Sequence, residues 1–300
     1  MSDRAEQPLE IFVPFWGDPD LLWATLDSVR AQTDPRWTVT VVDDCYPDPS
    51  VAARFAEETD QRIRYLRNEQ NLGITANYER CRDLATGDLM MFLGCDDLMH
   101  PDFVATVRAA HAAHPDAAVI QVGVDVIDEH GRRIAPLGDR VKRAIMPHVA
   151  EPTVLSGEPL AASLLRGNWL YWPALVFRRE VLVRHPFRED LPIVQDLALV
   201  VDMVAAGESL VLDPTVCFSY RRHSQSASGT TLLDGSRFAG DRRYFASAAA
   251  QMADHGWPRA ARAARLRWTS RLHAISLLPT ALRPGHRAAL RSLVHHATAR

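Results

Sequence analysis

Two pairs of adjacent carboxylates, Asp43-Asp44 and Asp96-Asp97, each follow closely on a short apolar run: Thr38-Val39-Thr40-Val41-Val42 for the first, Leu89-Met90-Met91-Phe92-Leu93 for the second. A carboxylate at the end of a buried strand can accept hydrogen bonds from a nucleobase or ribose, or bind a metal ion. Aspartate also caps helices well, and for Asp43-Asp44 both readings stand. The second pair is the stronger signal: its two carboxylates repel each other, and a divalent cation shared with phosphate oxygens relieves that repulsion. Further along, Tyr220-Arg221-Arg222-His223 joins two arginines, which can fork onto phosphate oxygens, to an imidazole that can ligate a metal; the plain alternative for a loop histidine is a solvated side chain. Gln195-Asp196 opens a helical pattern. Asp196 there either complements the helix dipole or serves as a general base toward an attacking hydroxyl. Asn71-Leu72-Gly73 offers a glycine for a positive-φ turn or close approach to a ligand. No GxxxxGK[ST] or GxGxxG motif occurs in a strand–loop–helix setting, and HExxH and GxSxG are absent, which removes the usual ATPase, dinucleotide, zinc-protease and hydrolase signatures.

The elements that must position these groups alternate in type. Short apolar runs at 11–14, 38–42, 63–66 and 89–93 are separated by helical patterns at 21–29, 49–59 and 74–86. Such alternation predicts an α/β fold with a mostly parallel central sheet covered by helices on both faces. Ligands of open α/β sheets bind beyond the carboxyl ends of the strands, and both aspartate pairs fall there. Next come a helix over 102–114, a strand over 118–124, a hairpin turn at 128–133 and a helix near 157–166. An aromatic segment follows, Asn168-Trp169-Leu170-Tyr171-Trp172, then a helix from Val194 to Ala206 and strands near 209–212 and 215–220. Residues 136–154, rich in Pro, Arg and His, read as a loop over the sheet. From Arg237 the pattern is helical to the end, with breaks expected at Pro258, Pro279 and Pro284.

Composition bounds the rest. The chain has 300 residues, 47% hydrophobic and 24% charged, as expected of a globular protein rather than a disordered or fibrous one. Its four cysteines, Cys45, Cys81, Cys95 and Cys217, form no CxxC pair, which argues against a structural zinc site or a disulfide scaffold. The polar N-terminus and the lack of a long apolar run lead us to expect a cytoplasmic chain without a membrane span. The net charge of −3 conceals an asymmetry: residues 256–300 hold nine arginines and no acid, leaving the remainder at about −12. A body so acidic repels nucleic acid but suits cations, whereas the tail suits an acidic surface.

Taken in order, these motifs resemble the family 2 glycosyltransferases of GT-A fold. The resemblance rests on Val13-Pro14-Phe15-Trp16, Leu26-Asp27-Ser28-Val29, Val41-Val42-Asp43-Asp44, Asn71-Leu72-Gly73 with Asn77, Ala85-Thr86-Gly87-Asp88, Phe92-Leu93-Gly94-Cys95-Asp96-Asp97, Gln195-Asp196 and Tyr220-Arg221-Arg222-His223, and covers roughly residues 9–230. It implies transfer of a hexosyl or N-acetylhexosaminyl group from a nucleoside-diphosphate sugar to a hydroxyl, with inversion. Asp44 would contact the base, often uracil, with Asp43 in support. Pro14, Trp16, Asn71, Gly73, Asn77, Cys95, Asp96, Arg221 and Arg222 would complete the donor site. Mg²⁺ or Mn²⁺ would be held by Asp96, Asp97 and His223, and Asp196 would be the base. The implied division is a nucleotide-sugar-binding half (1–105), an acceptor-binding and catalytic half of the same domain (106–235) and a basic helical extension (236–300). Two departures stand out: Gly94 replaces the first acid of the family's Asp-Ser-Asp-Asp pattern, and Gln195 replaces its Glu.

Acceptor recognition is expected from Asn168, Trp169, Trp172 and Gln195; the tryptophans would stack on sugar faces or else fill the core. The acceptor would be a carbohydrate, a secondary metabolite or a lipid-linked hydroxyl. His148 and the 136–154 loop would cover the bound donor. In the tail, Ala261, Ala264, Trp268, Leu272 and Ile275 recur at helical spacing as one stripe. That stripe would pack on its own domain, join a second subunit, or lie on an anionic membrane. A non-catalytic nucleotide-sugar-binding protein and a nucleotidyltransferase are the competing readings; the latter lacks the glycine- and arginine-rich phosphate loop with a lysine that it needs near the first strand.

Overall fold

The computed structural model describes residues 7–188, 191, 194–222, 236–281 and 287–298. Its first half is an alternation of strands and helices: β1 (Leu9–Phe15), α1 (Pro19–Arg30), β2 (Trp37–Asp43), α2 (Pro49–Ala56), β3 (Ile63–Arg67), α3 (Ile74–Leu84) and β4 (Leu89–Phe92). The strands are parallel in the order β3-β2-β1-β4. Beyond them lie β5 (Leu98–Met99), α4 (Phe103–Ala113), β6 (Val119–Ile127), α5 (Leu137–Ile145), β7 (Thr153–Ser156), α6 (Gly157–Arg166), β8 (Leu175–Arg178), α7 (Arg179–Leu182), α8 (Gln195–Ala205) and β9 (Ser209–Arg221). These extend the sheet as β4-β8-β6-β9-β5, with β7 also on β9. Strand β6 is parallel to β9, and β8, β5 and β7 are antiparallel to their neighbours. The result is a mixed α/β sheet flanked by helices, as expected.

Strand periodicity sorts the side chains between two cores. Leu9, Ile11, Val13 and Phe15 of β1, with Leu89 and Met91 of β4, pack with Leu22, Leu26 and Val29 of α1 and with α4. Phe12, Met90 and Phe92 point the other way, into α6 and α8. Burial on both faces is why these strands read as apolar runs without polar alternation. The loops that matter are set by caps. Asp18 caps α1 by accepting from Asp20 N–H at 2.9 Å, with Pro19 at the first helical position, so β1 turns sharply after Trp16-Gly17.

Residues 136–154 correct the sequence reading. They contain helix α5 and strand β7 rather than a loop. What organises α5 is one buried carboxylate: Asp139, 2% exposed, accepts from the Tyr171 hydroxyl at 3.0 Å and from Arg222 Nε and Nη2 at 3.2 and 3.0 Å. Composition conceals this, because the anchor lies on a partner more than 80 residues away. Replacing Asp139 with alanine is expected to lower unfolding stability by about 2 kcal/mol, since the buried Tyr171 hydroxyl and the part-exposed Arg222 guanidinium both lose their acceptor; the urea midpoint checks it.

The last helices are α9 (Ser236–Asp254), α10 (Pro258–Leu266), α11 (Trp268–Ala281) and α12 (Arg287–Thr298). Helices α9 and α10 belong to the main core through Tyr244, Phe245, Met252, Ala261 and Ala264. Asp241, Ser270 and His296 form a hydrogen-bonded chain that ties α9, α11 and α12 together. Two tail expectations are corrected. Helix α11 runs through Pro279, which lies in its last turn and removes only one helical hydrogen bond there. The supposed single stripe is broken at Arg267, whose φ of 35° ends α10. Ala261 and Ala264 are buried, whereas Trp268, Leu272 and Ile275 on α11 are exposed.

Candidate functional site

A cleft of about 1010 Å³ opens at the carboxyl ends of β1, β2 and β4. The register explains why distant residues meet there. Phe15 pairs with Asp43, Asp44 N–H donates to Phe15 C=O at 3.0 Å, and Leu93 N–H donates to Phe12 C=O at 2.8 Å. Chain following each strand therefore emerges on one edge. Of the residues singled out in the sequence, Pro14, Trp16, Asp44, Asn71, Gly73, Asn77, Cys95 and Asp96 line this cleft together.

Asp44 is its structural pivot. Its carboxylate, 3% exposed, accepts from Asn68 Nδ2 (2.7 Å) and Leu72 N–H (2.8 Å) on one oxygen, and from Gly73 N–H (2.9 Å) on the other. The Asn71-Leu72-Gly73 turn is thus pinned to the end of β2. Gly73, at φ 82°, supplies the conformation a side chain would resist before α3 begins. A carboxylate offers about four lone-pair sites, so three internal bonds leave one for a ligand N–H. Asn77 Nδ2 donates to Val42 C=O at 3.0 Å, and its oxygen accepts from Asn68.

Several assignments are corrected. Asp43 is fully buried and not on the cleft: it accepts from Tyr46 N–H at 2.7 Å, from the Tyr65 hydroxyl and from Arg67 at 3.2 Å, bracing the strand end. Burial and the bond to Asp43 push the Tyr65 phenol up to about 12. Asp97 also turns inward, accepting the Arg221 backbone N–H at 2.7 Å. Burial and the neighbouring Asp96 hold its carboxyl well above the usual range, despite that hydrogen bond. Arg221 spends its guanidinium on backbone carbonyls of Asp96 (2.6 Å), Asp128 (3.1 Å) and Glu129 (3.2 Å), and Arg222 pairs with Asp139; neither lines the cleft. Trp169 is 0% exposed, its Nε1 donating to Ser163 Oγ at 3.1 Å, so it fills core rather than meeting a sugar. Trp172 is half-buried and stacks on Phe92 at 5.5 Å. No residue of 136–154, His148 included, is among the described residues that line the cleft. His223 lies outside the described residues.

Gly94 now has a physical reason. A Cβ there would overlap Asp97 Oδ2 and sit 3.0 Å from Asp96 Oδ1, so the inward Asp97 carboxylate takes the space of the family's first acid. Gly94→Ala is expected to cost about 1–3 kcal/mol through overpacking, because the Asp96 and Asp97 carboxylates must move; thermal melts check it.

Asp196 stands beside the cleft rather than on its wall. Helix α8 begins at the rim, where Gln195 Oε1 accepts from Thr75 Oγ1 of α3 at 3.3 Å. Asp196 Oδ2 accepts from Asn168 Nδ2 at 3.0 Å, and Oδ1 has no hydrogen-bond partner among the described residues. Among the lining residues that sequence reasoning did not assign to the site are Tyr46, Tyr78 and Glu129. Tyr46 lies two residues past Asp44, beyond Cys45 at φ 62°, and meets Trp16 edge-on at 5.6 Å. Its position next to the aspartate pair was the available signal. Glu129 lies on a turn whose carbonyls accept from Arg221, a contact that no local pattern reveals.

Among the described residues no group of three His, Cys, Asp or Glu side chains could by itself hold a metal. Asp96 alone of its pair faces the cleft. This fits a hydrated Mg²⁺ or Mn²⁺ whose remaining ligands come from a bound diphosphate, since Mg²⁺ is commonly held by one or two carboxylates plus substrate phosphates. It does not fit an all-protein metal cage.

Comparisons with known proteins agree with the geometry. The chain is 34% identical over 128 residues to the uncharacterized protein y4gI of Sinorhizobium fredii, spanning 42% of this chain and 14% of that one. It is 28% identical over 134 residues to the putative glycosyltransferase EpsE of Bacillus subtilis, 44% of this chain and 45% of that one. It therefore spans less than half the length of these relatives. In fold it is similar to the S. aureus TarS fragment 1–349 solved with UDP-GlcNAc, with a TM-score of 0.71 at 13% identity over 97% of this chain and 82% of that one. The sheet order and its helices are thus those of a GT-A fold. The model of glycosyl transferase family 2 matches residues 10–161, just over half the chain, and this protein belongs to that family.

Proposed function

We propose that this protein transfers a sugar from a nucleoside-diphosphate donor, most simply a UDP-sugar, to an acceptor hydroxyl by a single inverting displacement. The observation that carries this is the convergence of Asp44 and Asp96, from two different strand ends, on one cleft of about 1010 Å³. Trp16, 52% exposed at its mouth, offers a face for a base or ribose. The lone-pair site left on Asp44 suits a base N–H. Asp96, with the donor's own oxygens, would hold Mg²⁺ or Mn²⁺. Bound there, the cation would act as a Lewis acid for the departing diphosphate.

The chain's own residues account for the other half of the reaction. The acceptor oxygen forms a bond to the anomeric carbon as the carbon–oxygen bond to the diphosphate breaks, and its proton passes to Asp196 Oδ1. Asn168 orients that carboxylate through Oδ2, and Oδ1, buried in the unliganded protein, has no hydrogen-bond partner among the described residues. No covalent sugar–enzyme intermediate is needed. Calorimetric titration with UDP-sugars in Mn²⁺ is expected to show binding that weakens at least about 10-fold with chelator, accompanied by product formation. Equal affinity in both conditions would remove the metal, and binding without turnover would leave a nucleotide-sugar-binding protein.

A further inference from the structure

Outside the cleft, two helices each carry more than one exposed large apolar side chain. On α11, Trp268, Leu272 and Ile275 recur at i, i+4 and i+7 and are 56%, 57% and 48% exposed. On α5, Leu137 and Val141 are 68% and 40% exposed and lead along the same face to Ile145. The two helices adjoin at Gly167: a Cβ there would meet both Ile145 of α5 and Thr269 of α11, and Thr269 Oγ1 donates to Arg166 C=O at 3.0 Å. The next residue, Asn168, is the one that orients Asp196.

Charge accompanies both apolar rows. Arg140 and Arg143 are exposed on α5, Arg262 and Arg265 on α10 just before α11, and none of the four forms an ion pair among the described residues. Residues 256–300 carry no carboxylate against nine arginines. A two-fold pairing of copies through this face would set two such cationic segments against each other, because an isologous interface matches a patch with itself. An anionic lipid surface complements it instead. Basic residues add attraction to acidic headgroups, and tryptophan with aliphatic neighbours buries into the headgroup boundary. Among the described residues no helix is long and apolar enough to cross a membrane, so this contact is peripheral.

We infer that the exposed faces of α5 and α11 dock on an anionic phospholipid surface, which places the Asn168–Asp196 side of the molecule toward a membrane-borne acceptor. The docking itself does not depend on the sugar-transfer reading, and it is tested without donor or acceptor. Flotation with vesicles of phosphatidylglycerol and phosphatidylcholine is expected to recover the full chain, with at least about 10-fold less bound at 0.5 M salt or on pure phosphatidylcholine. Trp268→Ser with Leu272→Ser, and separately Arg140→Gln with Arg143→Gln, Arg262→Gln and Arg265→Gln, are each expected to lower vesicle affinity by at least about 10-fold. These positions are exposed, so melting temperatures should stay near the parent's and identify any variant that fails to fold. Absence of flotation on anionic vesicles by the folded parent overturns the inference. So does a concentration-dependent dimer, seen by light scattering and abolished by the serine pair, because the face would then be covered by a second copy.

Discussion

Asp196→Asn is expected to lower kcat by about 10²–10⁴-fold, the range over which a positioned general base contributes, while donor affinity stays within about twofold. The substitution is close to isosteric. The amide retains an oxygen to accept from Asn168 Nδ2, so α8 and the rim contact of Gln195 with Thr75 are preserved. What is lost is the basic oxygen, now the unpartnered Oδ1. Because Asp196 does not line the cleft, donor titration should not register the change. A variant with parental kcat would dismiss Asp196 from proton transfer, and one that loses donor affinity equally would mark it as structural.

Asp44→Ala should act on the other half of the site and on the fold together. The carboxylate accepts three hydrogen bonds from buried or half-buried donors, Asn68 Nδ2 and the Leu72 and Gly73 amides. Bonds to a charged acceptor contribute about 1.5–3 kcal/mol each, and donors left unsatisfied add to the loss. We expect a decrease of about 3 kcal/mol in unfolding free energy after partial relaxation, with donor affinity falling at least about 100-fold as the Asn71–Gly73 turn loosens. Asp44→Asn retains one accepting oxygen and should lie between parent and alanine on both measurements. If donor affinity survives alanine while stability falls, Asp44 serves the turn and not the ligand.

How far the sequence could be read depended on whether a residue's partner was local. Strands β1, β2 and β4 and their helices were legible because these strands are largely buried, leaving mostly apolar runs between amphipathic stretches; the edge strand β3 was legible from its shorter Ile63–Leu66 run. Asp44 and Asp96 were legible as cleft residues because in an α/β sheet a polar residue just past a strand end falls on the ligand edge, and Gly73 as a turn glycine; Pro14, Trp16, Asn71, Asn77 and Cys95 came from the resemblance to the family. Reading failed where two neighbours in sequence part company in space. Asp43 and Asp44 differ by one position, and the pleat sends one to Tyr65 and Arg67 inside the protein and the other to the cleft. Asp96 and Asp97 divide in the same way, around the Arg221 amide.

The sequence by itself determined the alternation of strands and helices from β1 to β4, the edge of the sheet on which the cleft opens, and the charge contrast between body and tail. All three follow from periodicity and composition, which are properties of neighbours along the chain. Only the tertiary structure decided which carboxylate of each pair faces the cleft, that Arg221 and Arg222 are braces, that α5 is a helix anchored by Asp139, and that Gly94 makes room for Asp97. Each of these hinges on a contact between residues distant in sequence or on packing space around a side chain, and neither quantity exists until the chain has folded.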